Sequence, residues 1–235
     1  MTPERIARLQ AVLERRQPDL TVVSDFVHKP RNLSAILRCC DAAGVLQLHA
    51  VLGDSDYRAF RGTARGSQQW VGVRRHNRLE DALTPLQQAG YQLVVAHLSA
   101  ESVDYRDIDY TPPTALILGA ERRGPGPLAR SAARHIVIPM VGMVESLNVS
   151  VAAGIILSEA QRQRQLAGMY DRSRLDGATR ERLFFEWGHP GVRDFCRQRG
   201  LAYPPLDAEG EIADPVGWNA SVQDGSAPRE DYGDE

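Results

Sequence analysis

The chain has 235 residues, 43% of them hydrophobic, with 28 basic and 30 acidic side chains for a net charge of −2. That length supports one substantial α/β core with a small appendage, and no apolar run approaches the ~20 residues needed to span a bilayer. The first residues form an arginine-bearing amphipathic pattern without a signal-peptide core, so the expected location is the cytoplasm, away from any membrane.

In chain order, Ile6, Leu9, Val12 and Leu13 mark an amphipathic helix, and Leu20 to Val23 reads as the first strand. A helix over Asn32 to Ala43 stops at Gly44, and Leu46 to Leu52 is the next strand. Then come a strand over Val71 to Arg74, a helix over Leu79 to Ala89 and a strand over Tyr91 to Leu98. Ala115 to Leu118 and Ile136 to Ile138 are the last two strands, and a long helix runs from Leu147 to about Gln165. A short helical region follows over Thr179 to Arg199; after Leu201 no helical or strand period is visible, which predicts a loop-like, mobile tail from about Asp207. Alternating strands and helices imply an α/β fold with a mostly parallel sheet flanked by helices.

Chemistry concentrates in three segments. Ile136 to Gln163 runs strand, glycine-bearing loop and helix without a spacer, and Ser146, Asn148 and Ser150 crowd the helix start, where free backbone N–H groups favour acceptors or anions. Read alone, Ser146 is equally an N-cap opening a buried helix. Ala115 to Gly124 is a buried strand ending in Gly119, followed by Glu121 and a second glycine; His28 to Gly44 is a helix opening after Pro30. Neither G-x-G-x-x-G after the first strand nor G-x-x-x-x-G-K-[ST] occurs, which sets aside a nucleotide-binding Rossmann or P-loop reading. The cysteines (Cys39, Cys40 and Cys196) are an odd count with an adjacent pair, and the six histidines lack ligand spacing, so neither a disulfide framework nor a metal site is expected.

Taken in order, HKPRNLSAILRCCDAAG, ALILGAERRG and SLNVSVA resemble the three motifs of the SPOUT superfamily of knotted RNA methyltransferases, and are most similar to its TrmH branch. The likeness extends through RRQPDLTV near the start and EAQRQRQLAGMY after the last motif. It implies a deep C-terminal trefoil knot whose loops bind S-adenosylmethionine, a homodimer through the knotted domain, and methylation of a guanosine ribose 2′-oxygen in tRNA. The implied target is guanosine 18 of the D-loop, with ribosomal RNA, or a silent RNA-binding protein of the same fold, as rivals. The implied organisation is a helical extension over 1–19, a knotted domain over 20–165, a second helical extension over 166–205 and an acidic mobile tail over 206–235.

Carried over position by position, the resemblance places the cofactor against Ala96 or His97, Gly119, Ile138 and Leu147. It assigns chemistry to Arg38, Asn32, Glu121, Ser146 and Asn148, with Arg38 handling the ribose hydroxyl. A guanidinium stays charged in proteins, so orienting the hydroxyl and stabilising its developing charge is the alternative role for Arg38. Without the resemblance, Asn32 reads as a helix cap, Arg38 as a surface-paired arginine, Glu121 as a loop carboxylate paired with Arg122 or Arg123, and Ile138 and Leu147 as core.

Charge is unevenly spread. One basic and nine acidic residues fall after Pro205, leaving residues 1–205 with a net charge of +6. Lys29 is the sole lysine; the other basic residues are arginines, suited to bidentate phosphate contacts or simply a product of codon bias. Expected RNA contacts are Arg5, Arg8, Arg15 and Arg16 on the first helix, Arg162, Arg164, Arg172, Arg174, Arg180 and Arg182 after the long helix, and Lys29 with Arg31 beside Arg38. Phe184, Phe185, Trp187 and Phe195 read as anchors for the terminal helices.

Overall fold

The computed structural model describes residues 1–53, 69–120 and 123–232. It divides into two compact units, Arg16–Arg174 and a second made of Met1–Arg15 with Leu175–Glu235.

The larger unit holds β1 (Leu20–Asp25), α2 (Pro30–Ala42), β2 (Gln47–Val51), β3 (Gly72–His76), α3 (Leu79–Gln88) and β4 (Gln92–Ala96). It continues with β5 (Val103–Asp104), β6 (Thr114–Gly119), α4 (Pro127–Ala132), β7 (Arg134–Val137) and α5 (Val149–Leu166). The strands pair in the order β3-β2-β1-β6-β4-β7-β5, every pair parallel. A parallel sheet needs both faces covered, and the near-continuous apolar runs of β1 and β6 meet that demand. Val22, Leu116 and Leu118 face α2 and α5 through Leu33, Ile36, Leu37, Ile156 and Leu157. Val23, Val95 and Ile117 face α3 and α4 through Leu83, Leu86 and Ala129. The short edge strand β5 and the one-and-a-half-turn α4 were not anticipated; neither is long enough to show a period.

The strand order reverses direction at β1, which has β2 on one side and β6 on the other. In open α/β sheets, crevices outside the strands' carboxyl ends at such a switch point are where ligands bind. Asp25, Ala96, Gly119 and Val137 close four adjacent strands there.

Two arginines expected to meet RNA are instead structural. Arg164, at the end of α5, is fully buried; it donates to Asp19 Oδ1 at 2.6 Å, to Gln17 Oε1 at 3.1 Å and to the carbonyls of Tyr110 and Pro112 at 2.9 and 3.0 Å. Burial alone would raise the Asp19 carboxyl, but bonds from Arg164 and Arg174 outweigh it and hold it below the usual range. Arg16 is likewise buried and donates to Asp41 Oδ1 at 2.6 Å. Charge in a sequence does not reveal whether a buried carboxylate waits for it.

In the smaller unit, α1 (Pro3–Leu13) packs with α6 (Gly177–Gly188), which is followed by α7 (Pro190–Arg199) and α8 (Pro215–Asp224). Helix α1 stops at Leu13, so Arg15 and Arg16 lie beyond it. Phe185 and Trp187 are buried, as anchors should be. The loop-like tail is a misreading: α8 forms after the Asp214 cap, Ala227 packs with Cys196, Leu201 and Trp218, and Tyr232 donates to the Leu201 carbonyl at 2.6 Å. The small and polar residues of PVGWNASVQD give α8 little amphipathic period, which hid it.

Candidate active site

The first and third motifs meet because α2 packs on α5. Gly154 makes the close approach possible, with its missing side chain directed at Cys39 Sγ 3.4 Å away, and Cys39 Sγ lies 3.8 Å from the Ser150 carbonyl. At the start of α5, Asn148 is the N-cap: its Oδ1 accepts from Ser150 N at 2.9 Å and Ser150 Oγ at 2.6 Å. Its Nδ2 donates across to Asn32 Oδ1 at 3.2 Å. Asn148 therefore takes the capping role read for Ser146. Asn32 does not cap α2 either; the N-cap is Lys29, and Asn32 is buried in the first turn, held from the third motif.

Beside this pair lies a cavity of about 560 Å³ at the carboxyl ends of β4, β6 and β7. Ala96, His97, Gly119, Ile138 and Leu147 all line it, and so do Ser146 and Asn148. Its walls mix polar and apolar surface in nearly equal measure, and among the described residues its charged side chains are Lys29 and Glu145. From Met140 to Leu147 no backbone group pairs with another among the described residues, leaving donors and acceptors at the rim for a ligand.

Gly119 has a packing role as well as its place in the cavity wall. A side chain there would collide with the protein's own backbone: an added Cβ would lie 2.1 Å from Pro125 N and 2.3 Å from Gly124 C. Gly124 N donates to the Ala120 carbonyl at 2.8 Å, so Gly119, which lines the cavity, also lets the residues after β6 pack close behind it. Glu121 lies outside the described residues.

His97 is set by its surroundings. His135 Nε2–H donates to the Arg130 carbonyl at 2.7 Å, which leaves Nδ1 to accept from Ser99 Oγ at 2.8 Å, and the two imidazoles meet edge to face at 5.3 Å. Burial first, then His135 and Arg130, hold the His97 imidazole below its ordinary pKa. The shift disfavours the charged imidazole at the cavity wall.

Arg38 is not among the residues lining this cavity. It stands exposed on α2 with no ion pair to a described residue. Val141, Met143, Val144 and Val151 form an exposed apolar stretch from the loop into α5.

A parallel α/β sheet with helices on both faces, and a donor-rimmed cavity at the carboxyl ends of its strands, define a protein that handles a small organic ligand. Residues 19–158 match the SpoU rRNA Methylase family, and residues 162–215 match the family's C-terminal region. The chain belongs to the SpoU methylase family. It is 47% identical over 226 residues to a tRNA (guanosine(18)-2′-O)-methyltransferase of Escherichia coli, covering 95% of this chain and 99% of that one. The solved structure of the Aquifex aeolicus TrmH/SpoU tRNA modifying enzyme superposes with a TM-score of 0.75 at 43% identity, over 80% of this chain and 97% of that one. An AdoMet-bound rRNA methyltransferase from Sinorhizobium meliloti superposes at 0.56 with 37% identity, over 65% of this chain and 59% of that one.

Among the described residues, no helix is long and apolar enough to cross a membrane.

Proposed function

We propose that this chain methylates the ribose 2′-hydroxyl of a guanosine in tRNA, guanosine 18 of the D-loop, using S-adenosylmethionine in the cytoplasm. The observation that carries the reading is the single cavity lined by Ala96, His97, Gly119, Ile138 and Leu147, with the Asn32–Asn148 pair beside it. Near end-to-end similarity to the E. coli tRNA enzyme favours tRNA over ribosomal RNA, since the S. meliloti enzyme aligns with only 59% of its own length.

The cavity suits the donor in size and charge. About 560 Å³ lies within the range of small-molecule sites, and Glu145, with a His97 whose charged form is disfavoured, suits a cation. When bound, S-adenosylmethionine supplies an electrophilic methyl group on a sulfonium. Ile136, Ile138 and Leu147 exclude water from it, while the unpaired backbone of the 140–147 loop takes its polar ends. We assign the knot implied by the fold to the segments around this loop.

Arg38 orients the attacking hydroxyl and stabilises negative charge developing on its oxygen, and a substrate phosphate or water accepts the proton. It does so from the partner subunit: a second copy seated on Val141, Met143, Val144 and Val151 buries that apolar stretch and brings one protomer's α2 to the other's cavity rim. The Asn148–Asn32 bond fixes α2 against the loop, and Ser146 sits exposed at the rim.

Transfer of labelled methyl to a tRNA transcript and to a 23S ribosomal RNA fragment tests the reading. It expects label in tRNA alone, lost when guanosine 18 is replaced by its 2′-deoxy form. Label retained in the deoxy transcript, or found only in the ribosomal fragment, would overturn it.

A further inference from the structure

A second and larger cavity, about 850 Å³, opens at the same sheet edge. It lies over the carboxyl end of β1, while the first lies over β4 and β7; the loop leaving β6 stands between them. Lys29, Ala120, Gly124 and Pro125 line both. The contents differ. Lys29, Arg78, Arg123 and Arg130 face the second cavity against Asp25 and Glu80. Glu80 pairs with Arg78 at 3.4 Å. Asp25 is buried and spends Oδ2 on Gly126 N at 2.6 Å, bracing the dividing loop. Lys29, Arg123 and Arg130 make no ion pair with a described residue.

The wall also carries an aromatic surface under strain. Phe26 is the only non-glycine residue with positive φ among those described, at 53°, a region that bulky side chains avoid. Its ring lies over Gly53, is 36% exposed, and meets the His28 ring at a centroid distance of 5.9 Å. Backbone strain kept to hold an aromatic ring open to solvent, beside unpaired cations, is what a nucleotide needs: a face for its base and charge for its phosphates.

We propose that this second cavity is an RNA subsite that takes a nucleotide next to the target, its base on Phe26 and His28 and its phosphates on Lys29, Arg123 and Arg130. The inference rests on the tRNA reading above. Because the cavities share one wall, consecutive nucleotides straddle the loop leaving β6, and Lys29 contacts the phosphodiester that crosses it. Target and neighbour are then splayed apart, a form available in single-stranded loops and denied to a stacked duplex.

The test compares wild type with Phe26→Asn, Phe26→Tyr and Arg130→Gln. Asparagine tolerates positive φ and removes the ring without adding strain. Fluorescence anisotropy of labelled tRNA transcript, calorimetry with S-adenosylmethionine and steady-state methyl transfer are run on each. Phe26→Asn and Arg130→Gln are expected to weaken tRNA binding and raise KM for tRNA about tenfold, with kcat and cofactor affinity within twofold of wild type; Phe26→Tyr keeps wild-type values. Wild-type tRNA affinity in Phe26→Asn and Arg130→Gln, or an equal loss of cofactor affinity, would overturn the subsite. If wild type transfers no methyl to tRNA, the functional reading fails by itself, and anisotropy still decides whether this cavity holds RNA.

Discussion

Two cavities share one wall at the end of one sheet, yet differ in chemistry. Among the described residues the first holds one cation, one carboxylate and a histidine whose pKa is held down; the second is lined by four cations, two carboxylates and an exposed aromatic ring. A sulfonium-bearing cofactor loses stability where cations cluster, and a polyanion gains it. A wall shared through Ala120, Gly124 and Pro125 keeps donor and acceptor strand close, with Lys29 the one described cation common to both cavities.

The largest expected effect removes chemistry and leaves both cavities standing. Arg38→Ala is expected to lower methyl transfer by about 10²–10³-fold, with cofactor and tRNA affinities within twofold by calorimetry and anisotropy. Arg38→Lys recovers little, because an ammonium lacks the guanidinium fork. Near-normal single-turnover rates in either variant would take Arg38 out of the mechanism.

Next in size is a change that breaks the comparison. Gly119→Ala places a Cβ 2.1 Å from Pro125 N, so the dividing loop must shift. Cofactor and tRNA affinity should fall together, each by at least about tenfold, with lowered thermal stability from the overpacking. Loss of cofactor binding alone would mean that the wall serves only one side.

A pH series shows which losses are local. His49 is buried on β2 with its Nδ1 2.9 Å from His76 Nε2, and burial, then His76 and Arg74, push its pKa down to about 4. The unfolded chain binds this proton near pH 6.5 and the folded one resists it, so stability is intact above about 6.5 and falls until about pH 4. The loss is on the order of 3 kcal/mol, read from urea unfolding at each pH. His49→Gln should flatten that slope. Both cavities should lose ligand together in acid, since the cause lies at the sheet edge.

The smallest effect is at the motif junction. Asn148→Ala removes the α5 cap and the bond to Asn32, costing about 1 kcal/mol of stability. Methyl transfer should fall more than cofactor affinity, because the α2–loop geometry loosens while the cavity walls remain.

Much of this arrangement was legible in the sequence. Long, β-branched or periodic segments such as β1, β6, α2 and α5 announced themselves, and the three motifs named residues that the fold gathers around one cavity and its neighbouring helix. Arg164 and Arg16 were misread because their partners, Asp19 and Asp41, sit 145 and 25 residues away. Asn148 took the cap from Ser146 because α5 begins two residues later than its apolar pattern. The basic cavity was invisible: Phe26, Lys29, Arg78, Arg123 and Arg130 come from separate loops and helix starts, and only the strand order unites them.

The central claim is tested most directly by nuclease digestion and mass mapping of a tRNA transcript after incubation with protein and S-adenosylmethionine. The account predicts one added methyl, on the 2′-oxygen of guanosine 18, absent with Arg38→Ala. No ribose methylation, or a methyl on a base, would contradict it.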